Sequence, residues 1–137
     1  MLIQTDDLQA HDLGFCTITL LSEHLAEVIV NAGVHMTLDM VEHYHTFLLT
    51  HLRAPICLLI NKVHPYSYNF EAQRTLATIP EIQAMAVVSY SRLTDVATQA
   101  LVELPREVQW NLKTFSDRDA ALAWLSSLQA SELRQIR

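Results

Sequence analysis

Ile56-Cys57-Leu58-Leu59-Ile60-Asn61-Lys62-Val63-His64-Pro65-Tyr66-Ser67-Tyr68-Asn69-Phe70-Glu71-Ala72-Gln73-Arg74 is the stretch that decides the fold. Its first five residues are apolar without interruption. A run of that length, rich in branched side chains, reads as a strand buried on both faces, as in the middle of a parallel sheet. A polar, aromatic loop follows, and then a helix-like pattern. Open α/β sheets place their sites in loops at the carboxyl ends of strands. Residues 61–69 are therefore the first place to look for function.

Upstream, Phe15-Cys16-Thr17-Ile18-Thr19-Leu20-Leu21 alternates and carries β-branched residues, so it reads as a strand. Leu25-Ala26-Glu27-Val28-Ile29-Val30 is a second strand. The short turn between them predicts an antiparallel hairpin. Residues 1–13 read as a loosely held arm, and residues 14–137 as a single domain. Thr37 is a candidate N-cap for a helix from Leu38 to about Leu52, which Pro55 keeps from continuing. On that helix Leu38, Val41, Leu48, Leu49 and Leu52 share a face, widened by Met40, Tyr44 and Phe47.

Downstream, a short helix is expected from 70 to about 78, then a buried strand over Ala84-Met85-Ala86-Val87-Val88-Ser89-Tyr90. Leu93, Val96, Ala97, Ala100, Leu101 and Leu104 lie at helical spacing before Pro105. Trp110-Asn111-Leu112-Lys113-Thr114-Phe115 alternates as a half-buried edge strand. Ser116 with Asp119 resembles a capping box that opens a last helix. Strands alternating with helices predict a mostly parallel sheet, an antiparallel N-terminal hairpin and about four helices.

Composition sets the outer bounds. The chain has 137 residues, half of them hydrophobic, enough for a real core. Nine Lys and Arg scattered among fifteen acids leave a net charge of −6, with no basic stripe for nucleic acid. Only Gly14 and Gly33 are glycines, so no glycine-rich loop cradles a phosphate. The N-terminal residues lack the basic and apolar regions of a signal peptide, and no apolar run reaches membrane-spanning length. Cys16 and Cys57 both fall in apolar strand-like runs and read as buried thiols of a reducing cytosol. The expected compartment is the cytoplasm.

The chain resembles the SpoIIAA-like STAS family, and more closely a STAS/SEC14-like bacterial subgroup. The resemblance is carried by Ala26-Glu27-Val28-Ile29-Val30, Met36-Thr37-Leu38 with Tyr44, residues 55–62, Tyr66-Ser67-Tyr68-Asn69-Phe70-Glu71-Ala72-Gln73, Phe115-Ser116-Asp117-Arg118 and Ala123-Trp124-Leu125. It implies the SpoIIAA-like STAS fold over about residues 14–128. In anti-anti-sigma relatives a kinase phosphorylates a serine at the start of the helix after a central strand, within an Asp-Ser-x-Gly-type motif. The equivalent loop here offers Ser67 as a phosphorylation site. No Asp precedes it and no Gly follows it.

Three readings of the chemistry follow. In the first, the protein is a non-catalytic regulatory or binding module without a cofactor. Asn61, Lys62, Tyr66, Ser67, Tyr68 and Asn69 form its recognition surface for a protein partner or a small anion. Tyrosines supply contact area with a polar tip, and Lys62 supplies charge. The bland counterpart is that Ser67 or Asn69 only caps the next helix while the tyrosines cover the sheet edge. The second reading is a carrier of a lipid or other apolar ligand, built on the broad face of Met40, Tyr44 and Phe47, which could equally be a homodimer patch. The third is a hydrolase using Ser67, beside His64, or Cys57. It ranks last because Cys57 sits in a buried strand and no glycine elbow or orienting acid accompanies Ser67. Seven histidines invite a metal reading, but His43, His45 and His51 diverge around one helix, so no metal site is expected. His45 reads instead as a hydrogen-bonded core histidine.

Overall fold

The computed structural model describes residues 9–91 and 111–136. In chain order the elements are β1 (Gln9–Asp12), β2 (Cys16–Leu20), β3 (Leu25–Val30), β4 (His35–Met36), α1 (Leu38–His51) and β5 (Ile56–Lys62). Then come β6 (Ser67–Tyr68), α2 (Phe70–Thr75), β7 (Ile82–Ser89), β8 (Leu112–Phe115) and α3 (Arg118–Ile136).

The apolar run lies at the centre, as its composition demands. β5 pairs in parallel with β3 on one side and β7 on the other, and the full sheet runs β1-β2-β3-β5-β7-β8. β8 is parallel to β7, while β1, β2 and β3 form an antiparallel meander. The fold is thus α/β with a mostly parallel mixed sheet and an antiparallel N-terminal hairpin.

Strand alternation sorts the side chains into two cores. Ile56 and Leu58 of β5, with Val28 and Val30 of β3, pack on the α1 and α2 side together with Val41, Tyr44, Leu48 and Ala72. Cys57 and Leu59, with Leu25, Ala84, Ala86 and Val88, pack on the α3 side against Ala121 and Leu125. Each helix therefore buries one stripe against one face of a shared sheet. No described helix is long and apolar enough to cross a membrane.

Local signals explain most boundaries. The Thr37 hydroxyl accepts from the Met40 amide at 3.4 Å and opens α1. The Asn69 side chain accepts from the Ala72 amide at 2.8 Å and opens α2.

The structure departs from the sequence expectations in several places. Residues 9–12, expected within the arm, form β1 on the edge of the sheet. Their four residues are too short to announce a strand against the polar background. Three helices lie among the described residues rather than about four. The helix expected over 93–104, and Trp110, lie outside the described residues. β4 and β6 form a small two-stranded sheet that the sequence does not announce, since two residues per strand carry no periodicity. α2 ends at Thr75 rather than near 78. The cap of α3 is Asp117, whose carboxylate accepts from the Ala120 amide at 3.0 Å, in place of Ser116. On α1 the buried residues are Val41, Tyr44, His45 and Leu48, and Leu49 is 45% exposed. The chain beyond α2 folds back onto α1 beside His45, so the covered stripe is rotated toward that side.

Candidate functional site

Between the sheet and α1 the apolar packing is incomplete. A cavity opens there, walled by the sheet on one side and by α1, β6 and the turn after α2 on the other. The space within its walls, mouth included, is about 550 Å³. Only about 40 Å³ admits the centre of a water-sized sphere, and this smaller figure sets what enters without rearrangement. It corresponds to roughly three water molecules, or a ligand of a few heavy atoms.

The strand period decides which loop residues reach this cavity. Ile56, Leu58, Ile60 and Lys62 occupy alternate positions of β5, so Lys62 follows the apolar residues onto the α1 side. Ile60 and Lys62 line the cavity, as do Val28 and Val30 of β3 and Met85 and Val87 of β7. Tyr66 and Tyr68, two residues apart around β6, both face inward. The Tyr68 hydroxyl donates to the Tyr66 hydroxyl at 3.1 Å, and their rings meet edge to face at 5.4 Å. Tyr44 comes in from α1. The Lys62 ammonium sits 5.4 Å from the centre of the Tyr66 ring, over its face.

Backbone bonds hold the loop in place. Gly33 donates to the Pro65 carbonyl, Ser67 to Val34 and Asn69 to Met36, each at 2.9 Å. The Gly33 φ of 77° is the left-handed conformation that this close approach uses. Beyond α2, Ala77 also takes a positive φ, 55°, and turns its amide to the His45 Nε2, 3.0 Å away. His45 is thus the hydrogen-bonded core histidine expected. Its burial lowers its pKa, which keeps the ring neutral and able to accept.

The electrostatics of the cavity follow from its walls. Burial brings Lys62 down to about 8 from the ordinary 10.5. Burial pushes Tyr66 up to about 12 and Tyr44 and Tyr68 well above 10, so all three phenols stay protonated donors. Cys16, also in the lining, is raised to about 12 by burial and stays a thiol. Among the described residues no carboxylate lines the cavity. Among the described residues the site is an almost wholly apolar box, with the side chains of Lys62, Tyr44, Tyr66 and Tyr68 in its walls.

The six loop residues singled out from the sequence divide into three groups. Lys62, Tyr66 and Tyr68 meet in the cavity. Asn61 points to the opposite side of the sheet. There its amide donates to Glu27 at 2.8 Å and accepts from the Tyr90 hydroxyl at 2.8 Å. Arg118, at the start of α3, completes that cluster with two bonds to the Glu27 carboxylate, 2.7 and 3.0 Å. Asn69 is the cap of α2. Ser67 is exposed, and its hydroxyl pairs with His35 Nδ1 at 2.8 Å across the small sheet. The partner expected from the sequence, His64, is not the one found. Among the described residues no carboxylate orients His35.

The broad helix face also divides. Tyr44 enters the cavity, Met40 packs half-buried against the core, and Phe47 stacks on His51 at 4.3 Å. Cys57 lies in the α3-side core, its thiol raised to about 11 by burial. Among the described residues, no three His, Cys, Asp or Glu side chains converge as metal ligands. The cavity residues that sequence reasoning missed, Cys16, Val28, Val30 and Ile60, carried a usable signal: they share strand parity with Lys62 and Ile18. Comparison with known protein families, curated proteins and solved structures finds no match for this chain.

Proposed function

We propose that this protein is a non-catalytic binding module for a small, largely apolar ligand whose anionic or hydrogen-bonding group docks at Lys62. One observation carries the reading: the strand period places Lys62 in a wall that, among the described residues, is otherwise made of apolar and phenolic side chains and one buried thiol. Ligand sites have this composition, an apolar lining with a few convergent polar groups. The resemblance to the STAS/SEC14-like subgroup supports it in kind, through the alternation of strands and helices around a mostly parallel sheet. The cavity narrows the carrier reading from lipids to small ligands, because about 40 Å³ does not hold an acyl chain without movement of the walls.

The test is a titration with butanoate followed by methyl and amide NMR. Shifts are expected at Val28, Val30, Ile60 and Met85. Affinity should fall as pH rises through about 8, where Lys62 loses its charge. Lys62→Met should abolish the response. Shifts scattered over the surface, or unchanged binding by Lys62→Met, would end the proposal.

A second reading keeps the loop's outer face as a contact for a protein partner in a regulatory role. Val63 at 50% exposure and Phe70 at 65% flank the loop and favour it. A regulatory module in the bacterial cytoplasm would use the cavity to sense and this outer face to report.

A further inference from the structure

We propose that Lys62 captures small apolar aldehydes as a reversible imine inside the cavity. The inference rests on the reading of this cavity as a small-ligand site, and adds a covalent step to it.

The geometry supplies what such a step needs. The amine is carried by the end of a central strand, held on both sides by parallel neighbours as far as Asn61 and Lys62 on the β7 side. It stands over the Tyr66 ring in a lining of apolar side chains. An aldehyde with a short alkyl chain would lay that chain on Val28, Val30 and Ile60 and bring its carbonyl toward Lys62. Lysines become nucleophiles when an apolar pocket removes their hydration. Burial at Lys62 has that effect: with the pKa at about 8, roughly a quarter of the amines are neutral at pH 7.5.

The chemistry balances without a cofactor. The Nζ lone pair forms a bond to the carbonyl carbon while the C=O π pair moves to oxygen. Both amine protons end on that oxygen, which leaves as water, and the nitrogen pair closes the C=N bond. The protonated phenol of Tyr66, which accepts from Tyr68, provides a hydrogen bond for the departing oxygen. Room for only a few waters keeps hydrolysis of the imine slow relative to an exposed site.

The chain contains only two lysines, Lys62 and Lys113, and Lys113 is exposed, so it carries its own control. The full chain is incubated at pH 7.5 with butanal and cyanoborohydride, which reduces the imine to a stable amine. Peptide mass spectrometry then locates the alkyl group. Labelling at Lys62 is expected to outpace labelling at the exposed Lys113 by at least about tenfold, because burial enriches the neutral amine at Lys62. Excess butanoate should suppress it.

Equal rates at the two lysines, or labelling at Lys62 that butanoate leaves untouched, would overturn the inference. Lys62→Arg provides a separate check, because a guanidinium keeps the charge and forms no imine under these conditions. It should lose the label at position 62 and leave labelling of Lys113 unchanged. Butanoate binding without any Lys62 label sinks the imine and leaves the binding proposal standing; absence of both sinks the two together.

Discussion

A lysine that ends an apolar strand exacts a cost in stability. Unfolded, Lys62 titrates near 10.5; folded, near 8. The sign follows from which state holds the proton. Between those values the unfolded chain binds more protons, so stability rises with pH across that window. Below about 8 the buried charge weighs fully on the folded state. Lys62→Met should therefore be more stable than the parent by about 1–2 kcal/mol at pH 7. The gap should shrink between pH 8 and 10.5, and urea unfolding of both proteins at pH 7 and pH 10 measures it. A constant gap would mean that the ammonium is well solvated. Such single residues were unevenly legible in the sequence. His45 announced itself by its place on the apolar helix face. Asn61 did not, because its inward direction depends on Glu27, thirty-four positions earlier in the chain. Ser67 lies near His64 in sequence, whereas pairing of β4 with β6 sets His35 opposite it.

At the scale of elements, α3 is tied to the sheet by a charge pair at its first turn. Arg118 spans 91 residues of sequence to reach Glu27 on β3. Burial alone would raise the Glu27 pKa; hydrogen bonds from Arg118 and Asn61 outweigh it and hold the carboxyl below its usual value. The pair's contribution is therefore present above the ordinary carboxylate pKa and is lost as pH falls through the lowered one. Arg118→Met should cost about 1–3 kcal/mol at pH 7, since it strands a nearly buried carboxylate, while Arg118 itself is partly solvated. The deficit should fade as pH falls through the lowered Glu27 pKa, and thermal melts across pH 3–7 read it. An Arg118→Met protein equally destabilised at both extremes would point to lost packing alone. Long elements with clear periods, β3, β5 and α1, were legible because their own side chains specify them. β1, β4 and β6 were not, because their existence depends on the partners they pair with. The first turn of α3 lay between these cases: a cap was visible, but whether Ser116 or Asp117 filled it depended on where the strand before it ended.

For the molecule as a whole, one sheet carries two cores, and β5 belongs to both. Leu58 and Leu59 are adjacent and both fully buried, yet each faces a different layer. Leu58→Ala and Leu59→Ala should each cost about 2–5 kcal/mol, and each should unfold in one transition. In a Tyr90→Phe, Trp110→Phe background, emission from Tyr44, Tyr66 and Tyr68 would follow the α1 side, and emission from Trp124 the α3 side. Separate midpoints for the two signals would show that the layers unfold independently. The fold class was readable at this scale because alternation of element types constrains topology strongly. The cavity was not, since an unfilled space is the sum of many side-chain volumes and leaves no trace in any one segment.

The alternation along β5 has a consequence for how such a chain can vary over evolutionary time. Asn61 and Lys62 are chain neighbours assigned to opposite layers. A one-residue insertion or deletion upstream would exchange them, sending an ammonium toward Arg118 and an amide into the cavity. Both compartments would be spoiled by the same event. Length is therefore frozen along this strand, and its history must be written in substitutions. Insertions have room only beyond it, where Val63 and His64 lie exposed.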